Sequence, residues 1–461
     1  MNKQTILANR FAFGLGTIGR DMVYSLISMF ILFYLTDVIQ VDTGSLWWIT
    51  GIMLGLRVFD AVNDPFMGLI VDNTRSRWGR FKPWIAFGAA TSGIFTILIF
   101  TDFGLQGSGF VAQFGILYLL WGMAFTTNDI SYWSMLPTLS LEQKERERIG
   151  SVARICANVG LFFVVVAITG LTQTFGDMLG SHQKGYQLFA IMVVAIMWVG
   201  QLITLFFVRE DPKLSQSREP TKLRELVTVL FRNDQLVVTA ISLALFMIGY
   251  NITTSFGQYF FKYAYGDEGM YSIFALILGV SQIAALVAFP FLSKFAKRKT
   301  LYTVAMALVL VGYVVFFFAP TDTMLFIGIA GVSLFVGQAF IQLMMLMFLA
   351  DSVDYGHLKL GRRNDSITFS VQPFINKIGG AVGSAVVSVV VILSGIKEAT
   401  GKADVTPQGL LMMKLAMMIL PLALIGISYL IYRWKYRIDE KTHAEILRKL
   451  REKGEIGEAA L

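Results

Sequence analysis

Cysteine and histidine are scarce in this chain, which has one cysteine and three histidines among 461 residues. The single cysteine, Cys156, excludes an intrachain disulfide and a thiolate metal cluster, and we interpret it as a small packing residue. The chain also lacks a phosphate-binding loop of the GxxxxGKS or GxxxxGKT type. That absence argues against a pump driven by ATP.

Charged residues are few as well, at 15% of the chain against 55% hydrophobic and 13% aromatic residues. The mean hydropathy of +0.62 is far above that of a soluble globular protein, so the composition predicts a multi-pass membrane protein. The net charge of +8 comes from basic residues clustered in short loops between apolar runs. This pattern is typical of membrane orientation and argues against nucleic-acid binding.

Twelve apolar runs are long enough to cross a bilayer. They start near Phe11, Leu46, Pro83, Phe110, Gly150, Tyr186, Leu236, Tyr271, Thr300, Met324, Ile367 and Leu410. The first run is longer than the apolar core of a signal peptide and no cleavage pattern follows it, so we expect it to be retained. The connections after the even-numbered runs are rich in Lys and Arg, which predicts that both termini are cytoplasmic.

The longest polar interruption, Arg209–Asn233, falls midway along the chain. It predicts an all-α membrane fold of twelve transmembrane helices in two six-helix bundles, the major facilitator arrangement. We therefore expect an N-terminal bundle at 1–208, a central cytoplasmic loop at 209–235, a C-terminal bundle at 236–432 and a tail at 433–461. The tail has mixed charge and a helical pattern, and we expect a solvated helix or a frayed end; a regulatory segment is the alternative.

Charged residues interrupt five of the apolar runs. They are Arg20, Asp21, Arg57, Asp60, Asp64, Asp129, Arg154 and Lys377. A carboxylate inside a membrane costs about 2.5 to 3.5 kcal/mol on insertion scales and must find a partner or a wet cavity. Structural ion pairs are the alternative, but buried pairs contribute little net stability compared with apolar packing. We therefore favour a functional role for the set.

Asp60 and Asp64 lie one helical turn apart, with Asn63 between them. Their oxygens suit a small hard cation. Two neighbouring carboxylates can instead share a proton, because each raises the pKa of the other. The residues alone leave Na+ and H+ both open as the coupling ion.

Asp129 and Trp133 share one face of the fourth run, and Thr126 lies one turn earlier. A carboxylate accepts hydrogen bonds from adjacent sugar hydroxyls, and an indole offers an apolar plane to a pyranose ring. This pair predicts a neutral polyhydroxylated substrate, although an ordinary packing role is favoured for Trp133 taken alone.

Acidic and basic residues also meet where the tenth run reaches the cytoplasm. We predict a cytoplasmic gate formed by Arg146, Asp351, Asp354 and Arg363. Plain solvation of these loop charges is the alternative.

Several motifs resemble one known family. They are GRD in the first run, DAVNDPFMG and RSRWGRFKPW around the second, NDISYWSMLPTLS in the fourth, and ADSVDYG followed by SVQPFINKIGG. At these spacings, from Gly14 to about Gly383, the chain resembles the glycoside-pentoside-hexuronide:cation symporters of the major facilitator superfamily, the family of melibiose permease. The resemblance implies a monomeric carrier of the bacterial plasma membrane that binds a small glycoside and a monovalent cation, with no cofactor besides the coupling ion.

The resemblance also implies roles for individual residues. It implies a cation site at Asp60, Asn63, Asp64 and Thr126, coupling residues at Arg57 and Lys377, and a sugar site at Arg20, Asp21, Asp129, Trp133, Arg154 and Gln372. Asn63 matches the asparagine associated with sodium use, so the resemblance favours Na+ at Asp60 and Asp64.

Three positions depart from the family pattern. Phe125 replaces a tyrosine, Pro373 replaces a threonine, and Gln342 replaces a sugar-facing tryptophan. The cation site is nearly complete and the sugar site is altered, so a galactoside is not assumed.

The expected function is symport of a glycoside or oligosaccharide into the cell by alternating access. A lysolipid carrier on the same scaffold is the alternative. A membrane enzyme or sensor would need a nucleophile, a metal-ligand cluster or a soluble output domain, and the sequence offers none.

Overall fold

The computed structural model describes residues 3–140, 142–210, 230–267, 269–396, 399 and 401–455, and these contain helices but no β-strand. The first helices are α1 (Lys3–Phe33), α2 (Thr43–Asp72), α3 (Lys82–Ile99), α4 (Gly107–Leu139), α5 (Gln143–Leu179) and α6 (His182–Phe207). After the central interruption come α7 (Asp234–Tyr259), α8 (Met270–Leu292), α9 (Arg298–Phe318), α10 (Met324–Leu360), α11 (Asp365–Phe369), α12 (Val371–Leu393), α13 (Pro407–Lys414), α14 (Leu420–Lys435) and α15 (Glu440–Glu452). Most of the predicted central loop, residues 211–229, lies outside the described residues, as do the last residues of the tail, 456–461.

Ten helical segments of the described chain are long and apolar enough to cross a membrane. Two of them join neighbouring elements: Asp365–Val391 combines α11 with most of α12, and Pro407–Lys435 combines α13 with α14. Helices α1 and α2 are 31 and 30 residues long. In α2 the described apolar segment is Gly44–Leu56, and the charged stretch of the sequence begins at the next residue. With α1 and α2, the ten segments correspond to the twelve predicted runs.

The chain divides into two compact units. The first contains α1 to α6 together with the segment Arg362–Pro373, which includes α11. The second contains α7 to α10 and the elements from Phe374 to Lys453. The segment that carries α11 therefore belongs to the first unit, although it follows α10 and precedes most of α12 in sequence.

Small residues let α1 and α6 approach each other closely. A Cβ atom on Gly19 would lie 2.2 Å from backbone atoms of Met197, and one on Gly16 would lie 2.0 Å from Oγ1 of Thr204. Glycine is required here because the helix backbones are almost in contact. This packing fixes the position of Arg20, the next residue on α1.

The tail forms the predicted helix, α15, but one of its faces is not solvated. His443, Ile446, Leu447 and Leu450 are buried, and α15 packs against α10. The expectation of a fully solvated tail is therefore wrong for this face, because an apolar row at helical spacing finds a bundle surface to cover it.

Candidate functional site

Arg20 is the centre of a buried charge cluster in the first unit. Its Nη1 atom donates to Oδ1 of Asp129 at 2.7 Å, and its Nη2 atom donates to Oδ2 of Asp21 at 3.1 Å. The arginine side chain is 3% exposed, whereas Asp21 and Asp129 keep 22% and 16% exposure. The Arg20 guanidinium is thus enclosed, whereas the two carboxylates keep exposed surface through which they can accept hydrogen bonds from a ligand.

Trp133 lies beside this cluster and is contacted by two guanidinium groups. The Cζ atoms of Arg20 and Arg154 lie 5.0 and 4.8 Å from the centre of its ring, within the range of cation–π attraction. The indole is 3% exposed. It therefore offers little surface to a sugar in this structure, and its role as a stacking plane stays a prediction.

Arg154 has an unusual environment for a charged residue within a span. Among the described residues it has the contact with Trp133 but no hydrogen bond or ion pair, and its Nε atom is buried without a partner. The cluster of Arg20, Asp21, Asp129 and Arg154 sums to zero formal charge. The four predicted residues are thus brought to one place.

A network of buried polar side chains positions α4 around the cluster, and the sequence analysis did not identify it. The Nδ2 atom of Asn128 donates to the carbonyl of Ile85 and to Oε1 of Gln201, at 3.0 and 2.9 Å. Gln201 in turn donates to the carbonyl of Gly16 at 2.7 Å. The Tyr132 hydroxyl donates to a carbonyl of α1. These bonds join α1, α3, α4 and α6. The polar residues on either side of Asp129 in the sequence were the one feature from which this network could have been predicted.

The predicted cation site lies where α2 packs on α4. A Cβ atom on Gly122 would lie 3.8 Å from Oδ1 of Asp60, and the Thr127 hydroxyl lies 3.3 Å from Sδ of Met67. The two helices therefore run parallel. In sequence, Asp64 on α2 and Thr126 on α4 lie between the residues that form these two contacts. Both of those residues are buried, at 0% and 2% exposure.

The grouping of the two carboxylates with the Thr126 hydroxyl in one cation site stays a prediction, and Asn63 is half-buried on the same helix as the carboxylates. The described residues contain no group of three or more His, Cys, Asp or Glu side chains that could hold a metal ion. A site of two carboxylates with hydroxyl or amide oxygens suits a transported cation better than a tightly held metal.

Three further predicted residues have different settings. Gln372 belongs to the first unit and is 4% exposed, and its Oε1 atom has no hydrogen-bond partner among the described residues. Lys377 belongs to the second unit. Arg57 lies in α2, but its side chain is outside the described part of the structure. The sugar, cation and coupling roles of these residues stay predictions.

Two of the predicted gate residues converge on one carbonyl group. Arg146 is fully buried and donates to the carbonyls of Ser140 and Pro137 at 2.6 and 3.3 Å. Arg363 donates to the same Pro137 carbonyl at 3.5 Å and pairs with Asp365 at 3.1 Å. Both guanidinium groups therefore hold the end of α4.

The two predicted acidic gate residues have partners in the second unit that the sequence analysis missed. Asp351 pairs with Arg298 at 2.6 Å, and the imidazole Nε2 of His443 lies 2.9 Å from Asp354 and 3.6 Å from Asp351. All four side chains are buried. The tail helix is thus tied to the charged end of α10, and a gating role for these residues remains a prediction.

Comparisons with known proteins agree with this architecture. The sequence pattern of the family described as MFS/sugar transport protein matches residues 12–440. A lactose permease of Lactobacillus delbrueckii subsp. bulgaricus is 32% identical over 456 residues, which cover 96% of this chain and 72% of that protein. The raffinose carrier protein of Pediococcus pentosaceus is 30% identical over 459 residues, which cover 96% of this chain and 71% of the carrier.

A solved structure of the proton:xylose symporter XylE, bound to 6-bromo-6-deoxy-D-glucose, is similar with a TM-score of 0.66. The match covers 95% of this chain and 97% of XylE at 13% identity, so it shows the fold alone. The predicted all-α major facilitator fold is confirmed.

The relatives also confirm the resemblance to the cation symporters of glycosides. The family and these relatives are membrane carriers rather than enzymes. This similarity shows that the protein is a multi-pass protein of the plasma membrane. The protein belongs to the MFS/sugar transport protein family.

Proposed function

We propose that this protein imports a neutral glycoside or oligosaccharide together with Na+ by alternating access. It acts as a monomer, with both termini in the cytoplasm. The observation that carries the proposal is that one helix, α4, takes part in both candidate sites. Gly122 faces the Asp60 carboxylate of α2, and Asp129 pairs with Arg20.

The two sites are close along α4. Gly122 and Asp129 are separated by about 10 Å of helix, at 1.5 Å per residue. A cation bound by Asp60 and Asp64 would remove their mutual repulsion and hold α2 against α4. That change orders the turn that carries Asp129, so cation binding raises sugar affinity. By linkage, the sugar raises cation affinity by the same factor.

The charge of the sugar site favours an uncharged substrate. Arg20, Asp21, Asp129 and Arg154 already balance, so a charged ligand would leave a net charge within the span. The hydroxyl groups of a sugar can donate hydrogen bonds to the partly exposed carboxylates and accept hydrogen bonds from the Arg154 guanidinium. The names of the relatives, lactose permease and raffinose carrier protein, agree with an uncharged saccharide.

The choice of Na+ rests on oxygen ligands and on Asn63 next to the carboxylates. Sodium prefers several neutral and anionic oxygens, whereas a proton needs one carboxylate. Each positive charge moved inward gains about 2.3 kcal/mol per 100 mV of membrane potential, so a neutral sugar carried with it accumulates in the cell.

The test is uptake of radiolabelled glycosides into right-side-out vesicles, with Na+ and pH gradients imposed separately. The panel contains α- and β-galactosides, glucosides, xylosides and a glucuronide. We expect the Na+ gradient to drive uptake of a neutral glycoside and Asp64→Asn to abolish it. The control is Asp177→Asn, which removes a carboxylate from an exposed position of α5 and should leave uptake unchanged.

Uptake driven by the pH gradient alone would show that the coupling ion is H+ rather than Na+. Uptake of the glucuronide alone would refute a neutral substrate. No glycoside uptake under either gradient, in vesicles that contain folded protein, would overturn the sugar proposal and leave the lysolipid carrier. Protease accessibility of the tail in the same vesicles tests the orientation.

A further inference from the structure

Two exposed basic residues, Lys299 on α9 and Arg433 on α14, lie near one end of the second unit. Helices α9 and α14 pack antiparallel: the ring centres of Tyr302 and Tyr432 are 4.1 Å apart, and the hydroxyls of Thr303 and Tyr429 are 3.0 Å apart. Beyond the end of α14, Glu440 at the start of α15 accepts the backbone N–H of Arg298 at the start of α9.

Lys299 lies one turn before Thr303, and Arg433 lies one turn after Tyr429. Since the helices are antiparallel, both steps lead toward the same end of the bundle. Lys299 and Arg433 are exposed, and from this register we infer that both lie about one helical turn beyond the contact between Thr303 and Tyr429, on the same face of the bundle.

Neither cation has a carboxylate within ion-pair distance among the described residues. Lys299 and Arg433 form no ion pair there. The positive charge of Lys299 acts on one nearby carboxylate, that of Asp439. The pKa of Asp439 is lowered mainly by the hydrogen bond from the backbone N–H of Thr442 and less strongly by Lys299. Asp439 caps α15 through that hydrogen bond. Two adjacent like charges repel each other, so an anion between them would stabilise the pair.

The surroundings of the pair are those of a membrane boundary. On α14, Leu430 is 45% exposed just before Arg433, and Trp434 is 73% exposed just after it. On α9, Val304 is 49% exposed one residue beyond Thr303. Exposed tryptophan next to basic residues is typical of the level of lipid headgroups. The exposed apolar residues continue from there along both helices.

We propose that Lys299 and Arg433 bind the phosphate of an anionic phospholipid. Arginine offers a planar fork of N–H donors to phosphate oxygens, and lysine adds a compact charge. The acyl chains lie along Val304 and Leu430, which is why the ligand is a lipid rather than soluble phosphate. The site lies at the end of the bundle that carries the basic loops, so it takes a lipid of that leaflet.

The experiment compares lipid binding by the purified full chain in detergent, measured by native mass spectrometry. The probes are dioleoylphosphatidylglycerol and dioleoylphosphatidylcholine. Wild type should prefer the anionic lipid, and the double variant Lys299→Gln/Arg433→Gln should bind it at least about tenfold more weakly. The matched control, Arg75→Gln/Arg77→Gln, removes the same charge from exposed positions of the first unit and should retain the preference.

Equal losses in the two double variants would overturn the proposal, because they would show a diffuse charge effect. An unchanged preference in the Lys299/Arg433 variant would also overturn it. Displacement of the lipid by millimolar glycerol phosphate would assign the site to soluble phosphates instead. The single variants Lys299→Gln and Arg433→Gln, each with about half the effect on binding free energy, keep the test valid if the double variant misfolds.

Discussion

Nη2 of Arg80 donates to Oδ2 of Asp365 at 2.6 Å, although the two residues are 285 positions apart. Both side chains are buried. The carboxylate of Asp72 accepts the backbone N–H groups of Ser366 and Ile367, each at 3.0 Å. Asp72 thus caps the start of α11, Arg80 pairs with both carboxylates, and Arg363 is a second cationic partner of Asp365. These contacts fasten the segment between α10 and α12 to the first unit.

Replacing Arg80 by glutamine should destabilise the first unit strongly. The substitution leaves the enclosed Asp72 carboxylate without its cation and leaves Asp365 with Arg363 as its remaining partner. Breaking a buried pair by removing one partner costs about 3 to 5 kcal/mol. Thermal unfolding of the purified protein measures the loss, and a double-mutant cycle with Asp365→Asn isolates the pairwise part. Arg77→Gln, on the exposed part of the same loop, should unfold like wild type, and an equal loss there would contradict this account.

Replacing Asp129 by asparagine should weaken sugar binding and spare cation binding measured without sugar. The side chain keeps its shape but loses the charge that pairs with Arg20 at 2.7 Å. Arg20 then has Asp21 alone of the two carboxylates, and a charge-assisted hydrogen bond to the substrate is lost, so affinity should fall at least about tenfold. Isothermal titration with the sugar and with Na+ separates the two effects. Equal weakening of Na+ binding in the absence of sugar would show that Asp129 belongs to the cation site.

The sequence was sufficient to predict the helices and to identify the charged residues within them as candidates. Apolar runs of about 20 residues must be helical in lipid, since every backbone group needs an internal partner. Charges in such runs are exceptional, and for this reason Arg20, Asp129 and Arg154 could be identified as candidates before any contact was known.

Pairing between distant residues could not be predicted from one sequence. Arg20 and Asp129 are 109 positions apart. The sequence contains several other acidic residues in apolar runs, and nothing in it showed which of them would pair with Arg20. His443 carried no signal either, because a histidine in a polar tail is usually solvated. Its burial against Asp354 depends on how α15 lies across the bundle, which local periodicity does not encode.

The N-cap of α15 should make the tail sensitive to acid. Oδ1 of Asp439 accepts the backbone N–H and the hydroxyl of Thr442 at 2.9 and 2.8 Å, and this holds the pKa of Asp439 below its ordinary value. A lowered pKa gives stability that is present above the unfolded pKa, near 3.9, and is lost as the pH falls through the folded pKa. Asp439→Ala should cost α15 about 1 kcal/mol at neutral pH.

Hydrogen exchange of the α15 amides measures this effect. The difference between wild type and Asp439→Ala should shrink as the pH falls below 4. Asp439→Asn, which keeps a capping oxygen, should resemble wild type at neutral pH. A difference that is independent of pH would show that the carboxylate charge does not act through the cap.

Replacing Gly19 by alanine should impair the sugar site without touching any of its side chains. The added Cβ would lie 2.2 Å from the backbone of Met197, so α1 must move away from α6. Arg20 moves with it, and the bond to Asp129 is lengthened. Gly51→Ala is the matched control, because nothing lies within 4 Å of a Cβ there and alanine favours the helix. We expect Gly19→Ala to lower both the unfolding temperature and sugar affinity and Gly51→Ala to lower neither. A Gly19→Ala protein that is destabilised but binds sugar normally would show that the α1–α6 contact does not set the position of Arg20.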